Sequence, residues 1–325
     1  MTSEAERTLN FINSKVPEEI AQLGSFLATG KLAVFLITRK NVGKGTYIGL
    51  LNQLFPSHFT TISAGDLVRN ASKEIQNGDD LESAIKNAFP GKLEYIEIIR
   101  NFSLKRLLPT ELIEFLIERA LKQSPAGRSL FIDGFPRAPE QLIFTKKFVD
   151  QLISEGFKVL FLQIELADEI LVERRGSRRI CPRCGTIGNM TGIKGGRVDY
   201  NPETAEFFLR CEKAECAGEI MTRKVGYLEE TEELKTRDDL LLKTAEMIQA
   251  KYPDNFIFLR SDLPVESFHG DEEELNHLTR LSYENGEIRQ NEERKTAFHE
   301  GREVFELHPR GVLPIIIKEI VKNLQ

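Results

Sequence analysis

The chain has 325 residues, of which 41% are hydrophobic and 29% are charged. This length allows a sizeable buried core and suggests about two domains. The net charge of −6, with a pI near 5.6, argues against a surface built for general nucleic-acid binding. No apolar run reaches the roughly 18 residues that a membrane span needs, and residues 1–7 show no signal-peptide pattern. We therefore expect a cytoplasmic protein with no membrane partner.

The first informative pattern is a strand, a loop and a helix that together suit a phosphate chain. Residues 1–30 have apolar side chains at helical spacing and predict an N-terminal helical arm. Residues 34–37 predict a buried strand, and residues 44–55 predict a helix. The loop between them ends in Gly-Lys-Gly-Thr at residues 43–46. Loop amides and a helix N-terminus point at a bound anion, and the lysine adds a positive charge, so we predict a phosphate site.

The first half of this loop departs from the usual phosphate-loop pattern. Thr38 stands where the first glycine is expected, and Arg39 and Lys40 follow it, where they either narrow the cradle or add charge to it. Asn41 tolerates a positive φ better than most residues do, which suits a tight loop. The alternative interpretation is a plain strand-to-helix turn that carries a solvated lysine.

Short apolar segments alternate with helical patterns along the rest of the chain. Further strands are predicted at residues 59–63, 129–132, 159–164 and 256–259, and the last helix at residues 311–324. This alternation indicates right-handed βαβ units and a parallel sheet. Four polar residues follow predicted strands: Lys44, Asp66, Asp133 and Arg137. Ligands of such sheets bind beyond the carboxyl ends of the strands, so we expect these residues to share one rim.

Arginines form the second signal, because several lie near strand ends or beside the cysteine segment. They are Arg69, Arg137, Arg174, Arg178, Arg223 and Arg237. Gathering so many cations with Lys44 on one rim would be costly without an anion to offset their repulsion. Phosphoryl transfer uses such an array, because its transition state spreads charge over the peripheral oxygens.

The cysteines form the third signal, since all four lie in one segment. They are Cys181, Cys184, Cys211 and Cys216, a C-x2-C pair followed by a second close pair. In a chain without a secretion signal, such clustering favours a metal over disulfides. We therefore predict a closed tetrahedral Zn²⁺ site of four thiolates, with reduced free cysteines or disulfides as the alternatives.

Taken in order, these motifs resemble those of the adenylate kinase family of nucleoside monophosphate kinases. The resemblance covers roughly residues 32–262 and the last helix. It rests on Gly-Lys-Gly-Thr at 43–46, Ile-Ser-Ala-Gly-Asp-Leu-Val-Arg at 62–69, Asp-Gly-Phe-Pro-Arg at 133–137 with Gln141, the segment 173–179, and Arg223 and Arg237.

The resemblance implies an α/β fold of the P-loop NTPase type, with a five-stranded parallel sheet flanked by helices. The implied divisions are a helical arm (1–30) and a kinase core (31–325), and the core contains an NMP-binding helical region (65–122), a zinc-ribbon lid (180–222) and a family-atypical insert (264–310). A lid of this size has little apolar core, so a metal would supply much of its folding energy.

The resemblance also implies roles for individual residues. ATP would be bound by Asn41, Val42, Gly43, Lys44, Gly45, Thr46, Arg174 and Arg178. The monophosphate would be bound by Ala64, Arg69, Leu107, Leu108, Gly134, Arg137, Gln141, Arg223 and Arg237. The catalytic set would comprise Lys44, Arg137, Arg174, Arg178, Arg223 and Arg237, and Asp133 would order the water shell of Mg²⁺.

The implied activity is Mg²⁺-dependent phosphoryl transfer from ATP to AMP by a zinc-containing monomer. Ala64 stands where the family commonly has a threonine, which keeps UMP or CMP open as the acceptor. A non-catalytic nucleotide-binding relative with a degenerate phosphate loop is a further alternative. A zinc-ribbon module that binds nucleic acid is disfavoured by the acidic net charge.

Overall fold

A computed structural model of the chain describes residues 4–101, 108–223 and 232–324. Its helices are α1 (Glu4–Lys15), α2 (Pro17–Thr29), α3 (Lys44–Leu54), α4 (Ala64–Asn77), α5 (Leu81–Ala88), α6 (Glu94–Arg100), α7 (Thr110–Gln123), α8 (Leu142–Ser154), α9 (Asp168–Ser177), α10 (Glu232–Lys251) and α11 (Pro309–Leu324).

The strands are β1 (Lys31–Leu36), β2 (Phe59–Ser63), β3 (Ser129–Asp133), β4 (Phe157–Glu165), β5 (Arg178–Ile180), β6 (Ile187–Asn189), β7 (Arg197–Asn201), β8 (Glu206–Arg210), β9 (Thr222–Arg223), β10 (Phe256–Arg260), β11 (Asp262–Pro264), β12 (His277–Glu284), β13 (Glu287–Arg294), β14 (Thr296–His299) and β15 (Arg302–Glu306). Within the described residues, no helix is long and apolar enough to cross a membrane.

The central sheet has five parallel strands in the order β10-β4-β1-β3-β2, which confirms the predicted fold class. Strand β1 is buried on both faces because its residues alternate between two apolar clusters. Leu32 and Val34 face the cluster that includes α1, α2 and α11, and Phe35 faces the cluster that includes α4 and α7. Helices therefore cover both faces of the sheet.

The register of the sheet determines which side chains meet at its carboxyl edge. Leu36 at the end of β1 lies opposite Asp133 of β3, and Asp133 lies opposite Ser63 of β2. The loop after β1, the turn after β3 and the start of α4 therefore emerge side by side, as parallel strands require.

Residues 178–223, which we call the lid unit after the predicted lid (180–222), form a small antiparallel unit outside the central sheet. Strands β6, β5 and β9 form one three-stranded sheet, and β7 and β8 form a hairpin. Its buried cluster consists of three cysteines with Leu209 and Met221. So small a core needs an additional source of stability.

The segment that the sequence left without predicted elements is rich in β-structure. The predicted insert (264–310), together with the two residues before it, contains the three-stranded sheet β11-β15-β14 and the hairpin β12–β13. The hairpin turns at Asn285 and Gly286, which both have positive φ (55° and 86°), as expected of an Asn-Gly hairpin turn. This dipeptide was a usable signal, but most residues of β13 are charged and exposed and show no apolar alternation.

Candidate active site

A cleft of about 1110 Å³ lies beyond the carboxyl edge of β1, β2 and β3. It is bounded by the loop after β1, the start of α4, the turn after β3, the lid unit and the insert. The predicted site residues that line it are Asn41, Gly43, Lys44, Gly45, Thr46, Ala64, Arg69, Leu108, Asp133, Gly134, Arg137, Gln141, Arg174, Arg178 and Arg237. One concave surface thus brings together most of the residues singled out from the sequence.

Lys44 occupies the first position of α3, directly after the loop. Its Nζ lies 3.0 Å from Oδ1 of Asp133 and 3.5 Å from the carbonyl oxygen of Thr38. Gly43 caps the helix with φ of 112°, a left-handed conformation that side chains other than glycine rarely adopt. Burial lowers the pKa of Lys44 although the Asp133 carboxylate favours its charged form. An anion bound in the cleft would stabilise the charged ammonium group and so offset the cost of its burial.

The bulky residues in the first half of the loop anchor it to neighbouring structure. Thr38 is buried, and Arg39 donates to the carbonyl oxygen of Leu166 at 2.8 Å and to the Asp168 carboxylate. Arg39 therefore fixes the loop to the start of α9, whereas Lys40 lines the cleft. The sequence predicts that these side chains either narrow the cradle or add charge to it. The position of Lys40 at the cleft corresponds to added charge.

The turn after β3 is built around a glycine and an arginine. Gly134 has φ of 80°, and a Cβ added there would lie 2.8 Å from Nη2 of Arg137. Arg137 donates through Nε to the carbonyl oxygen of Gly134 at 2.9 Å, and its backbone N–H donates to Oε1 of Gln141 at 2.7 Å. Gln141 is buried. Gln141 therefore stabilises the turn that carries Arg137. Its contact with the acceptor base stays a prediction.

Arg69 and Arg237 reach the cleft from two different helices. Arg69 lies on α4, pairs with the Asp66 carboxylate one turn earlier, and is about half exposed. Arg237 lies on α10. The start of α4 is capped by the Ser63 hydroxyl, which accepts the N–H of Asp66 at 3.4 Å. A helix N-terminus and an exposed arginine are thus available together on this side of the cleft.

Arg174 and Arg178 contact the loop after β1 directly. Nη1 of Arg174 donates to the carbonyl oxygens of Asn41 and Val42, both at 2.8 Å. Nη1 of Arg178 lies 3.3 Å from the side-chain oxygen of Asn41. Asn41 has φ of 68°, as its tolerance of positive φ suggested. Both arginines therefore lie at the predicted phosphate loop.

No pattern in the sequence indicated the residues that the insert adds to this cleft. Among these are Glu306 of β15, Asn276 and Lys295, beside a lysine from the lid unit, Lys194. Oε1 of Glu306 accepts from Nε of Arg174 at 2.8 Å and from Nδ2 of Asn276 at 2.7 Å. Nζ of Lys295 lies 2.5 Å from Oε2 of Glu306. Burial opposes ionisation of Glu306, but Arg174 and Lys295 outweigh it and its pKa lies below the ordinary value.

Among the described residues, two of those predicted to bind nucleotide do not line the cleft. Arg223 is exposed on β9 of the lid unit, opposite Arg179, and is not among the described residues that line the cleft. Val42 is fully buried beneath the loop and contributes only its backbone to the contacts just described. Leu107 lies outside the described residues.

The four cysteine sulfurs converge in the lid unit. All four Sγ atoms lie within 4.8 Å of one another, and the pairs Cys181–Cys216 and Cys184–Cys211 are 3.8 and 3.7 Å apart. A regular tetrahedron of thiolates around Zn²⁺, with Zn–S of about 2.3 Å, has edges of about 3.8 Å. The donor set and its spacing therefore fit a structural Zn²⁺ ion.

Comparison with known proteins finds relatives but no matching family model. The adenylate kinase of Thermotoga petrophila is 32% identical over 152 residues, which are 46% of this chain and 60% of that protein. The adenylate kinase of Kosmotoga olearia is 28% identical over 161 residues, 50% of this chain and 66% of that protein. The adenylate kinase of Staphylococcus epidermidis is 27% identical over 186 residues, 53% of this chain and 77% of that protein.

The matched region is partial on both sides. The chain spans 60% of the length of the Thermotoga relatives that it matches, and about half of its own residues lie outside each match. The resemblance seen in the motifs is nevertheless confirmed: over about half its length, this chain is a homologue of adenylate kinases.

Proposed function

We propose that the protein is a nucleoside monophosphate kinase that transfers the γ-phosphoryl group of ATP to AMP. The observation that carries the proposal is the shared cleft. Lys44 and Asp133 are in contact there, and Arg137 and Arg178 line the same surface at the edge of a parallel sheet. Phosphoryl transfer depends mainly on positioning and on cations around the transferring group. The homology to adenylate kinases supports the same chemistry.

The geometry suggests how the two substrates divide the cleft. The donor phosphates would bind at the loop amides and Lys44, where α3 begins. The acceptor phosphate would bind at Arg69 and Arg137, beside α4 and the turn after β3. Arg178 and Arg237 line the same cleft and would neutralise charge on the transferring group. Arg223 would join them only if the lid unit moves, because it lies away from the cleft here.

Mg²⁺ and Zn²⁺ would serve different purposes. Mg²⁺ with ATP would neutralise phosphate charge, and the Asp133 carboxylate at the cleft is the kind of ligand that this ion and its water shell prefer. Zn²⁺ would hold the lid unit together through Cys181, Cys184, Cys211 and Cys216. We assign residues 65–122 to acceptor binding and residues 180–222 to the lid. The cleft is assembled within one chain, so a monomer suffices.

A screen of acceptors tests the proposed function. Purified protein with Mg²⁺ and ATP would be offered AMP, UMP, CMP and GMP, and ADP formation would be followed by a coupled assay. We expect AMP to give the highest kcat/KM. A clear preference for UMP or CMP would correct the acceptor, in line with Ala64 at the cleft. No turnover with any acceptor, in protein that binds ATP, would instead favour a non-catalytic nucleotide-binding protein.

A further inference from the structure

The carboxylate of Glu306 links the insert to the predicted phosphate loop through Arg174. Glu306 ends β15, and only 3% of its side chain is exposed. Both Nε and Nη2 of Arg174 donate to its Oε1, at 2.8 and 2.5 Å. The same oxygen accepts from Asn276, and Lys295 holds the other oxygen. These contacts fix the orientation of the Glu306 carboxylate and that of Arg174.

Arg174 in turn determines the direction of two peptide groups in the loop. Its Nη1 binds the carbonyl oxygens of Asn41 and Val42. In a planar trans peptide, the C=O and the N–H point in opposite directions. The N–H groups of Val42 and Gly43 therefore point to the side of the loop opposite the guanidinium. Backbone N–H groups turned to one side of such a loop are the donors that bind a phosphate chain.

The loop needs this external support because its sequence departs from the glycine-rich pattern. Its first half contains Thr38 and Arg39, and Arg39 fixes it to the start of α9. Arg174, near the other end of α9, binds the second half of the loop. Without Glu306, the guanidinium would lose the acceptor of both its Nε and its Nη2 groups.

The charges around Glu306 also favour a supporting role over direct contact with a nucleotide. Its carboxylate would repel phosphate, and it is already paired with Arg174 and Lys295. Lys295 is itself buried and lies 3.2 Å from a second carboxylate, that of Glu173. The charges of the two cations and two carboxylates therefore cancel within the cluster, as buried charges require.

We propose that Glu306 is a positioning residue for the donor-phosphate site, which acts by holding Arg174 against the carbonyl oxygens of Asn41 and Val42. This inference rests on the proposed function, because it assumes that the loop binds the phosphates of ATP. It gives the insert a defined part in the site: β15 supplies the carboxylate, and Asn276 and Lys295 hold that carboxylate in place.

The test compares donor binding in three variants by calorimetry with a non-hydrolysable ATP analogue and Mg²⁺. Glu306→Ala is expected to raise the Kd of the analogue at least about tenfold, because one partner of a buried charged pair is removed. Glu306→Gln keeps an acceptor oxygen for Arg174 and is expected to bind the analogue more tightly than Glu306→Ala. The Kd of AMP, measured alone, should change by less than about twofold, since Glu306 pairs with Arg174, Asn276 and Lys295, and none of these is proposed to bind the acceptor.

A double-mutant cycle separates positioning from a merely structural role. In an Arg174→Ala background, Glu306→Ala should add less than about twofold to the Kd of the analogue, because the residue through which it acts is gone. Glu274→Ala is the control: this insert carboxylate pairs with Lys15 of α1, and neither residue is among the described residues that line the cleft. It should change the Kd of the analogue by less than about twofold.

The outcomes distinguish this inference from the proposed function. If the wild-type protein binds the analogue but transfers no phosphate, the proposed function fails and the Kd comparison still decides the role of Glu306. If Glu306→Ala binds the analogue as tightly as the wild type, or loses affinity equally with and without Arg174, the positioning role is overturned. Failure of the wild type to bind any nucleotide would overturn both.

Discussion

Single residues in the cleft serve both to bind charge and to hold backbone in shape. Lys44 forms an ion pair with Asp133 in the cleft, and burial lowers the pKa of Lys44. Gln141 is buried and accepts the N–H of Arg137. Arg174 binds two loop carbonyl oxygens as well as Glu306. At this scale, burial and hydrogen bonding decide which charged groups remain available to a ligand and which support the others.

Lys44→Met is expected to lower kcat by about a hundredfold or more. The substitution keeps the side-chain volume nearly constant but removes the positive charge that would stabilise the transferring phosphoryl group. The coupled assay with ATP and AMP measures this loss, and thermal unfolding checks that the variant is folded. A fall of less than about tenfold in a folded variant would contradict the place assigned to Lys44.

His308 is expected to make the fold sensitive to acid. Burial, with Lys194 and Arg310 nearby, lowers the pKa of His308 to about 3, and His277 and Arg174 add to the effect. The unfolded chain takes up this proton near pH 6.5, before the folded chain does, so stability is retained above pH 6.5 and lost as the pH falls towards 3. The slope from this one group is about 1.4 kcal/mol per pH unit.

Denaturant unfolding at pH 7.5, 6 and 5 measures this slope. His308→Asn removes the titrating group while an amide oxygen can still accept the N–H of Arg310, which the ring Nδ1 accepts at 3.2 Å in the structure. The variant should lose less stability than the wild type between pH 6 and 5. Equal losses in both proteins would show that other groups govern the acid response.

Among the elements, the N-terminal helices and the lid unit differ in how much apolar surface they bury. Ile12 of α1 and Leu23 of α2 are fully buried in the cluster that also contains Ile317 of α11. The arm is therefore joined to the rest of the protein by apolar packing. The lid unit buries little beyond its cysteines, with Leu209 and Met221. Its order should therefore depend on a bound metal.

Metal removal is expected to loosen the lid unit selectively. Chelation, or Cys184→Ser, should increase proteolysis between residues 180 and 222 and reduce the zinc content from about one per chain towards zero. The central sheet should persist, because its two apolar clusters do not include the cysteines. Mass spectrometry of the fragments and elemental analysis measure both effects. Unchanged cleavage after complete metal loss would exclude a structural metal.

Across the whole molecule, the insert connects parts that are distant in sequence. Its hairpin packs on the lid unit, where the rings of Tyr283 and Tyr200 stack with centroids 4.0 Å apart. The backbone N–H of Thr279 donates to the carbonyl oxygen of Thr191 at 2.7 Å. Glu274 pairs with Lys15 of the arm. In this structure, the lid unit therefore rests against the insert, and its release would require these contacts to break.

Tyr283→Ala is expected to weaken the docking of the lid unit by about 0.5–1.5 kcal/mol, the usual value of an aromatic pair beyond its buried area. Hydrogen exchange in residues 189–201 should then be faster, by roughly twofold to tenfold. Arg280→Ala is a matched control, because Arg280 lies on the same strand and pairs with Glu293 across the hairpin. Equal exchange in the two variants would show that the ring stack does not hold the lid unit.

The sequence by itself determined the parallel sheet, the strand, loop and helix at residues 34–55, and the clustering of the four cysteines. These features are readable because each depends on local spacing: apolar runs for buried strands and helices, and close cysteine pairs for a group with metal-ligand spacing. The carboxyl ends of parallel strands must meet at one edge, so the meeting of Lys44, Asp133 and Arg137 followed from order along the chain.

Only the tertiary structure decided what the insert contributes. Glu306 lies 132 residues after Arg174, and their contact depends on how the insert packs against α9. Lys295 and Asn276 are likewise ordinary polar residues in a charged segment until the fold brings both to the Glu306 carboxylate. Long-range pairing of this kind leaves no local pattern, because each partner's surroundings are supplied by a segment far away in the chain. That is why Arg174 could be singled out from its motif, while the carboxylate that orients it could not.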